Sequence, residues 1–252
     1  MAGSVDGASA GTARPVKRRS AFFLVASVLM VLIVFLGFLP SFYLRFQFRT
    51  TPLPIHLLVH GVVMTAWMLL FLAQTVLVAT RRSDLHRKLG VAGAVLAATV
   101  VVVGVHATLS MPGYYAAKGI VLPFPVEILV VGNLFGFMLF AGYVAAAILL
   151  RRDTPTHKRL MYWASIVTMG PALTPMRSLG EMILPYFPTT FPPEIALGWV
   201  AWSALLIHDW RVMRGFHPAT VIGGILLLFI SPAIVDWFLL IEPVLAWVRA
   251  LA

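Results

Sequence analysis

The chain has 252 residues, of which 60% are hydrophobic and only 11% charged, with a mean hydropathy of +0.94. That balance excludes a sizeable soluble domain, and the lack of any cysteine excludes disulfides, thiolate chemistry and cysteine-ligated zinc or iron–sulfur clusters. A formal net charge of +10 raises the question of a nucleic-acid partner, which the placement of the cations answers.

Residues 1–20, rich in Ala, Gly and Ser and ending in Arg14, Lys17, Arg18 and Arg19, read as a disordered basic cytoplasmic tail. The apolar run from Ala21 is followed by Pro40, Phe42 and Tyr43 instead of a small-residue cleavage site, so it reads as a retained anchor. Runs of roughly 20 apolar residues match a hydrocarbon core about 30 Å thick. They recur at 21–43, 55–79, 89–110, 126–150, 159–184, 194–210 and 219–241. The expected fold is therefore all-α, a polytopic transmembrane helix bundle of about seven spans over 21–242, with a short C-terminal segment at 243–252. Six spans is the alternative, because the sixth run is the shortest and the fifth the most irregular.

With the N-terminus cytoplasmic, 14 of the 19 Lys and Arg fall on the inner side, and the exceptions are Arg45, Arg49, Lys118, Arg177 and Arg249. The positive-inside rule thus predicts seven spans and a periplasmic C-terminus. The charge is accounted for by contact with anionic lipid on the cytoplasmic face, and nucleic acid is not needed. In span four, Gly132 and Gly136 form a GxxxG, a candidate close approach between helices. In span five, Pro171 and Pro175 each remove an amide donor and are expected to kink or unwind the helix, serving either packing or a cavity.

Depth along the membrane normal, at about 1.5 Å per residue, sorts the seven histidines into two layers. In the outer layer, His56 stands at the interface and His60 one turn deeper on span two, while His106 of the antiparallel span three lies at a matching level. Glu127, Arg177 and Glu181 share that level. In the inner layer are His86, His157, His208 with Asp209, and His217. Ionisable groups deep in a membrane are functional by default, and neutral imidazole is the usual nitrogen ligand of haem iron and of Zn, Cu or Fe.

His60 and His106 are placed to hold a haem b from opposite sides, with Arg177 as the partner of a propionate or substrate carboxylate. The alternative is a non-haem metal held by His56, His60 and His106, the first two lying at i and i+4 on one helix face. The third reading has no cofactor, with the histidines hydrogen-bonding between helices. A second haem or metal could draw on the inner histidines, although His86 and His157 sit in basic settings that suit interfacial anchoring. Asp236, among apolar neighbours in span seven, is expected to face the bundle and find a partner.

The segments His56 to His60 leading into Trp67, Phe71 and Gln74, then Leu85-His86-Arg87-Lys88-Leu89-Gly90, Thr156-His157-Lys158-Arg159-Leu160-Met161, and His208-Asp209 with His217-Pro218-Ala219-Thr220 resemble a group of uncharacterised multi-pass membrane proteins of proteobacteria. The resemblance covers spans two to seven and implies a bacterial inner-membrane location, with no activity attached. A looser architectural likeness, from paired histidines on antiparallel helices, is to membrane b-type cytochromes, with a quinone as the electron partner. Two other function classes stay open: an accessory or assembly protein of a membrane complex, and a small-solute or proton-coupled transporter using the proline break and Arg177.

Overall fold

The computed structural model describes residues 21–48, 52–122, 124–173 and 193–252. Every regular element among them is helical. Helix α1 (Phe22–Phe38) runs through a π-helical turn (Leu39–Tyr43) and is followed by the short α2 (Arg45–Phe48). Then come α3 (Ile55–Ala79), α4 (Ser83–Lys118), α5 (Val126–Leu149), α6 (Thr154–Val167) and α7 (Gly170–Leu173). Beyond residue 192 the chain forms α8 (Pro193–Met213), α9 (Pro218–Ile225), a second π-helical turn (Leu226–Ile230), α10 (Ser231–Phe238) and α11 (Glu242–Arg249).

Five helical stretches among the described residues are long and apolar enough to cross a membrane: Phe22–Tyr43, Ile55–Ala79, Ser83–Lys118, Val126–Leu149 and Pro218–Phe238. The other two predicted spans differ for local reasons. Pro171 has no N–H for the Val167 carbonyl and its ring crowds that carbonyl, so α6 stops at Val167 and α7 restarts at Gly170. The predicted break thus falls just before Pro171, and Pro175 lies outside the described residues. Helix α8 ends in a polar stretch carrying His208, Asp209 and Arg211.

Proline also sets helix starts. Pro54 and Pro125 stand before α3 and α5, and Pro155 and Pro218 occupy the first turns of α6 and α9, where a missing N–H costs nothing. Helix α4 ends on Gly119 in the left-handed region (φ +61°), with Ile120 N–H bonded to Tyr115 O at 3.0 Å. Arginine takes the same conformation after α3 and α8, at Arg81 (φ +63°) and Arg214 (φ +57°). At 36 residues α4 is about 54 Å long, so it projects well beyond a hydrocarbon core about 30 Å thick.

Successive helices pack as neighbours: α3 lies along α1 and α4, and α5 along α4 and α6. Helix α9 packs on α6 and α8, and both α10 and α11 pack on α5. The main core runs through Met30, Trp67, Val100, Phe140, Trp163 and Leu205, one from each of six helices. A second, smaller core joins Val130 and Val131 of α5 to Val248 of α11. Many apolar side chains point outwards, such as Leu29, Val62, Val95 and Ile222, as a lipid-facing surface requires.

The close approaches lie elsewhere than the GxxxG. A Cβ at Gly132 or Gly136 would meet nothing within 4 Å. At Gly37 it would fall 1.9 Å from the Ala172 carbonyl oxygen of α7, at Gly61 2.2 Å from the Phe42 ring and at Gly104 2.1 Å from the Phe137 ring. Spacing alone marks a small helix face, but it does not say which face meets a neighbour.

Contacts place the start of α1 and the C-terminus at opposite ends of the bundle. Phe22 stacks on His208 (ring centroids 4.5 Å apart, 19° between planes), and Lys158 Nζ lies 4.9 Å from the centre of the Phe23 ring. At the far end Arg249 pairs with Glu127 at 3.1 Å and Glu242 at 3.2 Å. Exposed Arg81 and Arg82 before α4, Arg87 and Lys88 in its first turns, and Arg151 and Arg152 between α5 and α6 gather at the end of the bundle where α1 starts.

Candidate functional site

The histidines expected in the outer layer, His56, His60 and His106, come from the first turns of α3 and the C-terminal half of α4. The ring that meets His106 is His56, not His60: their centroids are 6.0 Å apart and the planes stand at 81°. His60, one turn deeper, faces the Phe137 ring of α5 edge-on at 6.5 Å. Phe137 is held there because Gly104 of α4 leaves room for it. His106 is exposed, whereas His56 and His60 are half-buried. His56 Nε2 and His60 Nδ1 are buried atoms with no hydrogen-bond partner among the described residues, and so is Trp67 Nε1 further down α3. Buried polar atoms of this kind are rare and call for a water, an ion or a ligand.

Among the described residues no three or more His, Asp or Glu side chains gather as a metal-binding group. His56, His60 and His106 therefore form a pair with a third histidine set one turn away. Arg177 and Glu181, expected at this level, lie outside the described residues. Glu127 is taken up by Arg249, and Asp236, expected to face the bundle, is exposed.

The inner histidines divide differently. His86 and His157 meet with centroids 6.3 Å apart and planes at 86°. His157 Nδ1 lies 2.8 Å from the Ala147 carbonyl oxygen, which fixes the proton on Nδ1. With its amide turned to suit its neighbours, Gln74 donates to His86 Nδ1 (2.6 Å) and to the His86 carbonyl (3.2 Å), and accepts from Gly90 N–H (3.1 Å). His86 then carries its proton on Nε2. One ring offers a donor and the other an acceptor, an arrangement for hydrogen bonding instead of shared metal ligation. His208 is buried against Phe22 and Phe23.

The most thoroughly satisfied polar cluster is one the sequence did not announce. Arg159 and Asp209 are 1% and 0% exposed and form an ion pair between α6 and α8. Arg159 Nε donates to both Asp209 oxygens (3.1 and 3.2 Å) and to Thr220 Oγ1 (3.1 Å), while Nη1 donates to Pro155 O (2.8 Å). Thr220 donates its hydroxyl to Asp209, and so does His217 its backbone N–H, at 3.1 Å. His217 caps α9 by accepting the Ala219 N–H on Nδ1 (3.2 Å). Burial first, then the Arg159 charge, hold the His217 imidazole below its ordinary pKa.

Indole and phenol groups complete this region. Trp163 Nε1 donates to Ala219 O (3.1 Å), Trp202 Nε1 to Thr220 O (3.0 Å) and the Tyr143 hydroxyl to Gly223 O (2.8 Å). These groups hold the first turns of α9 between α5, α6 and α8. Among the described residues, the hydrogen bonds of Arg159 and Asp209 all go to groups of α6, α8 and the start of α9. Against protein-family models, curated proteins and solved structures, the chain finds no match.

Proposed function

We propose that this is a seven-span protein of a bacterial inner membrane, basic end inward, that holds a small non-haem metal ion in its outer half at His56 and His106. The observation that carries the reading is the meeting of these two rings at 6.0 Å beside a buried, unpartnered imidazole nitrogen on His56. Imidazole suits Zn, Cu, Fe and Ni, and one open side at the exposed His106 gives an ion a route in from the outer interface. A haem gripped by His60 and His106 fits less well. His60 faces Phe137, and α3 and α4 pack directly on each other.

Purified protein, analysed for metals and by optical spectroscopy oxidised and dithionite-reduced, tests this directly. The expected result is a metal near one per chain, lost on joint His56→Ala and His106→Ala substitution, with no Soret band. A Soret band after haem-replete expression would refute the small-ion reading in favour of haem.

The competing reading is an accessory protein of a membrane complex in which the histidines only bond between helices. The missing third ligand among the described residues favours it. Its signature is a metal-free protein whose stability, and nothing else, falls on those substitutions.

A further inference from the structure

The end of the bundle where α1 starts gathers cations around a pair of half-buried imidazoles. The meeting of His86 and His157 brings the α3–α4 turn and the α5–α6 turn to one seam. Arg81, Arg82, Arg87, Lys88, Arg151 and Arg152 belong to these two stretches and are exposed. Six cations stand there against two acids, Asp84 and Asp153, an excess of four positive charges. Asp153 is engaged by the Thr156 hydroxyl. Arg81 ends α3 in the left-handed region (φ +63°), with the Arg82 N–H closing on Leu77 O at 2.8 Å. Glycine adopts that conformation freely and a side chain strains it, so a cation is held at this corner where glycine would fit the backbone better.

The seam also offers hydrogen-bonding groups of both kinds. His157 donates from Nδ1 to the Ala147 carbonyl, and His86 accepts from Gln74 on Nδ1, so His86 Nε2 is a donor and His157 Nε2 an acceptor. Neither Nε2 has a hydrogen-bond partner among the described residues. Cations and a ring N–H suit a phosphate, whereas a bare ring nitrogen calls for a hydroxyl. Apolar side chains stand beside the cations in the chain: Leu149 is 78% exposed, Leu150 47% and Leu85 40%. Cations where apolar spans end, with bare leucines next to them, match the phosphate and acyl chains of a lipid better than a soluble anion.

We infer that the seam between the α3–α4 and α5–α6 turns binds one phosphatidylglycerol, its phosphate among the cations and His86 and its free headgroup hydroxyl on His157 Nε2. The site needs no metal in the outer half, so it stands or falls apart from the reading above.

The experiment counts lipids bound to the full-length protein in detergent by native mass spectrometry, titrating phosphatidylglycerol, phosphatidylserine and phosphatidylcholine in turn. The wild type is expected to take a single phosphatidylglycerol about fivefold more tightly than phosphatidylserine, the worth of one hydrogen bond, and phosphatidylcholine far more weakly than either. Arg87→Gln with Arg152→Gln is expected to weaken both anionic lipids about 25-fold, at about fivefold per cation near the surface. His157→Asn keeps a side-chain N–H for the Ala147 carbonyl and removes the acceptor, so it is expected to bring phosphatidylglycerol down to the affinity of phosphatidylserine. Arg81→Gly relieves the left-handed strain and is expected to weaken both anionic lipids while the unfolding midpoint holds or rises. Circular dichroism of each variant checks folding.

Equal wild-type affinity for the two anionic lipids, or a folded His157→Asn that still prefers phosphatidylglycerol, would overturn the headgroup assignment. Anionic-lipid affinity unchanged in the folded double variant, or phosphatidylcholine bound as tightly as phosphatidylglycerol, would overturn the site itself.

Discussion

Asp209→Ala is the sharpest test of the buried inner cluster. It removes the carboxylate that accepts from Arg159, Thr220 and the His217 N–H. The guanidinium, 1% exposed, then keeps only Pro155 O and Thr220 Oγ1. Breaking a buried pair from one side costs about 3–5 kcal/mol, chiefly because a charge is left without a counterion. At about 2–4 °C per kcal/mol for a chain of this size, the midpoint should fall by about 10 °C. The double variant Arg159→Met with Asp209→Leu removes both charges and should recover at least about 2 kcal/mol of the loss expected from summing the single changes. Equilibrium unfolding in mixed micelles, at low and high salt, measures the wild type, Asp209→Ala, the double variant and its two single parents. A cost below about 1 kcal/mol for Asp209→Ala would mean the pair is solvated after all. A double variant as damaged as the sum of the singles would mean the two residues act independently, and either result refutes the burial argument.

Three further outcomes follow from geometry already described. His217 caps α9 with a neutral Nδ1 and has a lowered pKa, so its stabilisation is present above the unfolded value of about 6.5 and lost as pH falls through the lower folded value. His217→Ser caps without titrating and should flatten the dependence of the unfolding midpoint on pH between about 7 and 5. Gly37→Ala sets a methyl against the backbone of α7 and should cost more than the roughly 1–3 kcal/mol of ordinary overpacking, whereas Gly136→Ala, facing open space, should be near neutral. Because the chain has no cysteine, single Arg152→Cys and Lys118→Cys variants report sidedness cleanly. An impermeant maleimide added outside intact cells should label the second and not the first.

Hydropathy and proline placement made the membrane helices readable. The predicted 55–79 coincides with α3, and 126–150 overshoots α5 by a single residue. Level along a span was legible only to within a turn: the expected match of His106 was with His60, and the ring that meets it is His56. His56 and His60 differ by one turn and a small rotation, which is enough to give His106 one neighbour and Phe137 the other. Arg159 was hidden for a different reason. Within Thr156-His157-Lys158-Arg159 it reads as one more basic anchor, and its partners stand 50 and 61 residues further on. Only Asp209, an acid at the end of an apolar run, hinted that some cation would be drawn in.

That separation also orders the protein's birth. The helices made first are joined by hydroxyl pairs such as Ser27 with Thr75 and Tyr43 with Thr65, bonds that can close as soon as α3 emerges. Until Asp209 is made, Arg159 has the Pro155 carbonyl of its own helix but not its carboxylate. At about 5–20 residues per second, ribosomes need roughly 3–12 s after Arg159 is added to deliver Thr220, 61 residues further on. The ion pair between α6 and α8 therefore cannot close until α8 and the first turn of α9 arrive. A nascent chain truncated before Asp209 would leave the Arg159 charge without its counterion.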